Sequence, residues 1–189
     1  DLMNLPGAAR RDKPNEKPDD KAALPYDVAV VGKPAPPKHA GAPKIGNGID
    51  PKKLPGIVID DAQAKLTGKW TAGTGLAGFI GSNYHYTDGT AGQDTARFEF
   101  TVPTTGKYEV RFAYGAHENR ADNVPVTITS AEGDRVVSVN EKKQPPLEHG
   151  FISLGTFQFE AGKKAAVVVA DDGTDGHVAV DAVQVLPVK

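Results

Sequence analysis

The chain has 189 residues, of which 39% are hydrophobic and 7% aromatic, and 22 Lys/Arg against 24 Asp/Glu leave a formal charge of −2. That length holds one domain comfortably or two small ones, and so even a charge argues against bulk nucleic-acid binding. The absence of cysteine excludes disulfides, thiolate metal sites and cysteine nucleophiles, and the longest uncharged apolar stretch, Ala165–Ala170, is far too short to span a membrane.

Ten of the fifteen prolines fall within residues 1–55. Runs such as Lys33-Pro34-Ala35-Pro36-Pro37-Lys38 favour polyproline II and cannot bury enough apolar surface to fold alone. Residues 1–55 therefore read as an extended Pro/Lys-rich arm or linker. The first residue is Asp and no signal-peptide h-region follows, the pattern of a mature product, a proteolytic fragment or a recombinant piece. The arm carries ten Lys/Arg against seven Asp/Glu and the remainder twelve against seventeen. A mildly basic arm thus precedes a mildly acidic body, which biases encounters only weakly. One β-prone run, residues 26–31, lies between Pro25 and the breakers Gly32 and Pro34. Such a strand, presented through Tyr26, Val28, Val30 and Val31, needs a sheet edge, either its own or a neighbour's.

From Gly56 onward strands and turns alternate. Residues 57–60 open the domain. Ala96, Phe98 and Phe100 alternate with Thr95, Arg97 and Glu99, as in a half-buried strand. Beyond the turn residues Pro103 to Gly106, Tyr108, Val110, Phe112 and Tyr114 alternate with Lys107, Glu109 and Arg111, and the two runs together predict a hairpin. Further strands are expected at 124–129, 135–140, 152–159, 165–170 and 177–186. Turn chemistry at Glu132-Gly133-Asp134, Ala161-Gly162 and Asp171-Asp172-Gly173 separates the later ones. No window longer than about ten residues has helical apolar spacing. The fold class read from this texture is all-β, an antiparallel sandwich of jelly-roll type over residues 56–189.

The order Ile57-Val58-Ile59-Asp60-Asp61, Gly68-Lys69-Trp70, Gly81-Ser82-Asn83-Tyr84-His85-Tyr86 continues through Pro103-Thr104-Thr105-Gly106-Lys107-Tyr108-Glu109-Val110. It then runs on through Asn119-Arg120-Ala121-Asp122-Asn123-Val124-Pro125, Leu154-Gly155-Thr156-Phe157 and Asp181-Ala182-Val183-Gln184-Val185. In that order and spacing the body resembles the golvesin C-terminal-like domain, also described as the xanthan-lyase carbohydrate-binding-like domain. The arm lies outside the resemblance. What the resemblance implies is a galactose-binding-like sandwich appended to large secreted bacterial proteins, hence an extracellular or cell-surface location.

Several residues could carry chemistry. Phe79, Tyr84, His85 and Tyr86 lie among glycines, and sugar sites need flat aromatic faces with polar groups beside them. Trp70, the single tryptophan, is either a stacking platform or core, and the same two readings apply to Tyr84 and Tyr86. Asn119 and Arg120 could grip a hydroxylated or acidic ligand, or could staple a loop, with Arg120 buried against Asp or backbone carbonyls. Asp181 sits among small apolar residues, where a charge needs partners. It either accepts backbone N–H bonds from the opening strand near Asp60 and Asp61 or joins those two carboxylates in a Ca²⁺ site. The acidic loop Asp171–Gly176 is a weaker Ca²⁺ candidate that turn composition explains by itself. No other cofactor is indicated.

His39, His85, His117, His149 and His177 show no zinc spacing, and no nucleophile elbow or phosphate loop occurs. Tyr84, His85 and Arg120 could imitate a lyase acid/base set, although a small sandwich rarely offers the deep cleft this needs. The chain is therefore expected to be no enzyme. It reads as a binding module for polysaccharide or cell-surface glycan, or alternatively as an assembly subunit whose arm adds a strand to a neighbour. Its partners would be a glycan or another protein subunit, with self-association through the arm.

Overall fold

The computed structural model describes residues 48–89 and 91–188. The arm strand expected at 26–31, with Tyr26, Val28, Val30 and Val31, lies outside the described residues. Within them the chain forms twelve strands: β1 (Ile57–Asp60), β2 (Lys65–Thr67), β3 (Thr71–Gly73), β4 (Tyr84–Thr87), β5 (Thr95–Thr101) and β6 (Gly106–Ala113), followed by β7 (Val124–Ser130), β8 (Gly133–Val139), β9 (Phe151–Phe159), β10 (Lys164–Ala170), β11 (Val178–Val180) and β12 (Ala182–Pro187). Only single 3₁₀ turns interrupt them, and no described helix is long and apolar enough to cross a membrane.

Two sheets carry the sandwich, one of order β1-β12-β6-β9 and one of order β2-β5-β10-β7-β8, while β11-β4-β3 forms a third, smaller sheet. Every strand pairing in them is antiparallel. The period-two residues meet between the layers. Phe98 and Val167 from the five-stranded sheet and Val110, Phe112 and Val183 from the four-stranded sheet are fully buried. Burial of such side chains contributes about 1.5–3 kcal/mol each.

The expected hairpin is not there. β5 pairs with β2 and β10, whereas β6 pairs with β9 and β12. The turn between them crosses from one sheet to the other. Both strands alternate because both line one core, and alternation reports a buried face without naming the neighbour. The true hairpin is β7–β8, closed between Ser130 and Gly133.

A second apolar cluster lies on the outer face of the four-stranded sheet. Ala113, Phe151 and Ala182 stand there beneath Ile80, with Ile49, Leu54, Val58 and Leu147 packed around them. Residues 48–55, which composition assigns to the arm, cover this face. Ile49 N–H donates to Phe79 O and Gly81 N–H donates to Ile49 O, both at 2.8 Å. Gln184 Nε2 donates to Pro55 O at 2.9 Å.

Candidate functional site

β1 and β6 finish, and β9 and β12 begin, at one end of the four-stranded sheet. Loops leaving that end enclose a pocket of about 510 Å³, within the range of small-molecule sites, ~300–1,000 Å³. Leu76 to Phe79 and Tyr84 form one wall, Tyr114 to Ala116 a second, Gln144, Pro145, His149 and Gly150 a third, and Ile49 and Asp181 complete the lining.

The aromatic wall follows from strand geometry. Along β4, Tyr84 and Tyr86 project to one face and His85 to the other. Tyr84 therefore stacks between Phe79 and Tyr86, at centroid separations of 6.4 and 6.3 Å. Phe79 and Tyr84 are each only 6% exposed, so most of each ring is buried behind the pocket wall. His149 is the only described non-glycine residue with positive φ, at 60°. Backbone held in that region by surrounding structure is a feature of ligand-binding loops.

Behind the pocket lie three carboxyls. Ile80 N–H donates to both Oδ1 and Oδ2 of Asp181 at 3.0 Å. Asp60 accepts from Ala62 N–H at 3.0 Å, and its Oδ2 is buried with no hydrogen-bond partner, as is Asp61 Oδ1. Gly81 backs Asp60 closely: a Cβ there would stand 2.0 Å from Oδ2, and the glycine φ is 71°. Burial, then the adjacent Asp60 carboxyl, pushes Asp61 up to about 9. Burial, followed by Asp60, likewise raises Asp181 to about 8. His85 Nδ1 lies 2.7 Å from Asp61 Oδ2, and burial lowers the imidazole pKa. The lowered imidazole and the raised carboxyl both disfavour the ion-paired form of this contact. Among the described residues no three His, Cys, Asp or Glu side chains are grouped so as to hold a metal ion.

The remaining sequence candidates go elsewhere. Trp70 packs half-buried against the main core, and its Nε1 donates to Thr67 O at 3.0 Å. Arg120 is 5% exposed, lies 5.5 Å from the Tyr86 ring centroid and donates to Gly115 O. Asn119 is exposed and contacts His117 Nδ1 at 2.8 Å. Their loop is knitted to the acidic loop: Ala121 N–H donates to His177 O, His177 N–H to Asn119 O, Asp122 N–H to Asp175 Oδ1 and Asn123 Nδ2 to Gly173 O. Asp171 accepts from Gly92 and Asp94 N–H groups. These bonds match the stapling alternative for 119–123 and the turn alternative for 171–176. Tyr84, His85 and Arg120 do not converge as an acid/base set, because the pleat sends His85 away from Tyr84.

The 74–78, 114–116 and 144–150 walls were not among the sequence candidates. Gln144-Pro145-Pro146, a proline pair outside the arm, was the one available signal for the third. Glu141 was missed as well. It is wholly buried, accepts from Ala179 N–H at 2.8 Å through Oε2, and leaves Oε1 without a hydrogen-bond partner. Burial raises it to about 8 against the opposing pull of the Ala179 N–H and Arg120.

A family model described as the Golvesin C-terminal domain matches residues 57–187. A xanthan lyase from Bacillus sp. (strain GL1) is 33% identical over 150 residues, covering 74% of this chain and 16% of the lyase. The structure of a Paenibacillus xanthan lyase superposes with a TM-score of 0.63 at 32% identity, over 70% of this chain and 13% of that one. A Podospora anserina GH26-CBM35 β-(1,4)-mannanase gives a TM-score of 0.51 at 19% identity, over 70% and 28% of the two chains, a likeness of fold alone. The chain thus spans about a sixth of the length of the curated lyase it matches.

Proposed function

The chain belongs to the golvesin C-terminal domain family, and from that premise we propose that it is a non-catalytic, extracellular polysaccharide-binding module of a larger secreted protein, seating sugar in the pocket between the 74–84, 114–116 and 144–150 loops. The observation that carries this reading is the pocket itself: apolar walls from Leu76, Phe79 and Tyr84 face the polar side chains of Gln144, His149 and Asp181. Pyranose rings present C–H faces and hydroxyls to be matched in just this way. Against catalysis stands the dispersal of the titratable groups: along β4 His85 points to the face opposite Tyr84 and contacts Asp61, and Arg120 is committed beneath the Tyr86 ring.

The test is retention of the full chain in gels containing dissolved polysaccharides. Retardation by at least one polymer is expected, and Ala77→Trp, at an exposed position on the pocket rim, should abolish it without moving the melting temperature. Tyr84→Ala is a poorer probe, since truncating so buried a ring costs about 3 kcal/mol by itself. Retention unaffected by Ala77→Trp would place the sugar elsewhere.

A further inference from the structure

The charge around the pocket narrows the ligand, given the reading that this pocket binds sugar. Among its described lining residues Asp181 carries the only carboxyl and there is no lysine or arginine. Anionic sugars are gripped by guanidinium or ammonium groups, or by converging backbone N–H donors, because a carboxylate shedding its water needs compensating charge. The buried cation closest in sequence to a wall is Arg120, and it is committed beneath the Tyr86 ring and to Gly115 O. The Ile80 N–H beside Asp181 is taken by that carboxyl. Asp60 and Asp61 are buried behind it, so a uronate or pyruvylated sugar entering here would meet no lysine or arginine among the described lining residues to offset its charge.

The lining suits a different ligand. Ile49, Leu76, Phe79 and Tyr84 supply an apolar wall for ring C–H groups, while Gln144 and His149 offer donors and acceptors to hydroxyls. We infer that the pocket selects neutral hexopyranose units and discriminates against acidic polysaccharide. A site of this kind binds through apolar contact and uncharged hydrogen bonds, so its affinity should be nearly independent of ionic strength.

Isothermal titration of the full chain with β-1,4-mannan and β-1,4-glucan, and with xanthan and alginate, at low and high salt, tests this. At least one neutral polymer should bind with less than a twofold change across the salt series, and both acidic polymers should bind at least tenfold more weakly. Ala77→Trp should remove the neutral binding. Gln144→Lys, which sets a cation on an exposed rim position, should bring a salt-sensitive gain for alginate. Tighter binding of xanthan or alginate than of the neutral polymers by the native chain would overturn the neutral assignment and leave the binding role standing. Failure of all four polymers to bind would overturn the binding role with it.

Discussion

Glu141, Asp61 and Asp181 are buried acids whose surroundings favour the protonated form, and this sets how the domain responds to pH. Each has a folded pKa raised above its ordinary value, to about 8, 9 and 8. The folded state therefore holds protons that the unfolded chain releases above about pH 4–5. Stability from these groups is fully present below the unfolded values and is lost as pH rises toward 8–9. Asp60 and His85 face Asp61, Asp60 faces Asp181, and Arg120 and Tyr114 face Glu141. The melting temperature should fall by roughly 5 °C or more between pH 5 and pH 9, measured calorimetrically. Glu141→Gln keeps the shape without the ionisation, so it should flatten that slope and match or exceed the native stability at pH 9. A melting temperature rising over this range would show that the three carboxyls are ionised in the fold.

The segment 48–55 is where an element and the pocket meet. Ile49 exchanges two backbone hydrogen bonds with the 79–81 loop and also lines the pocket. Gly48 permits the approach: a Cβ there would stand 2.2 Å from Gly81 O and 2.6 Å from the Phe79 ring. Gly48→Val should detach this strap, costing about 1–2 kcal/mol while the sandwich core stays folded, and should weaken polysaccharide retention. Hydrogen exchange checks it directly: the Ile49 and Gly81 amides should be protected in the native chain and fast in the variant. The strap was hidden in the sequence because its prolines and lysines give it the composition of the arm. Legibility elsewhere followed burial. β5 and β7 bury alternate residues, as does most of β6, and these strands, with β9 and β10, were readable to within a residue or so. β11 and β12 merge into one apolar run; Asp181 within it reads as a charge in need of backbone donors, but the donor is Ile80 and not the opening strand. β4 was readable only as an aromatic loop, since its neighbours β3 and β11 are three residues each. Of the candidate site, Phe79 and Tyr84 were legible as aromatics beside glycine, whereas His149 was not, because its positive φ is imposed by the loop and not by residue type.

At the scale of the molecule the open question is what the arm does, and the sheets supply a reason to expect assembly. β8 is an edge strand of seven residues, and Val136 on it is 61% exposed. Edges of this kind accept an added strand where charge or proline does not block them, and on β8 the charges, Asp134 and Arg135, sit at its start and leave residues 136–139 uncharged. The run Tyr26–Val31 has β-prone composition and no proline of its own. The sixteen residues 32–47 separate it from the strap, and at ~3.1 Å per residue they could reach roughly 50 Å. That exceeds the diameter of a 140-residue domain, about 40 Å, so the geometry permits pairing with a second copy. A Pro-rich spacer resists folding straight back, which lowers the effective concentration for pairing in cis. We propose that this strand docks on the sheet edge of a neighbouring copy, and a head-to-tail exchange of that kind continues into an open filament. Light scattering should report particles larger than one chain for the intact protein, growing with concentration, and monomers after deletion of residues 1–33. Val136→Lys should lower the assembly size while leaving polysaccharide retention unchanged, because the edge and the pocket share no residue. An intact chain that stays monomeric at high concentration would leave the arm as a linker only.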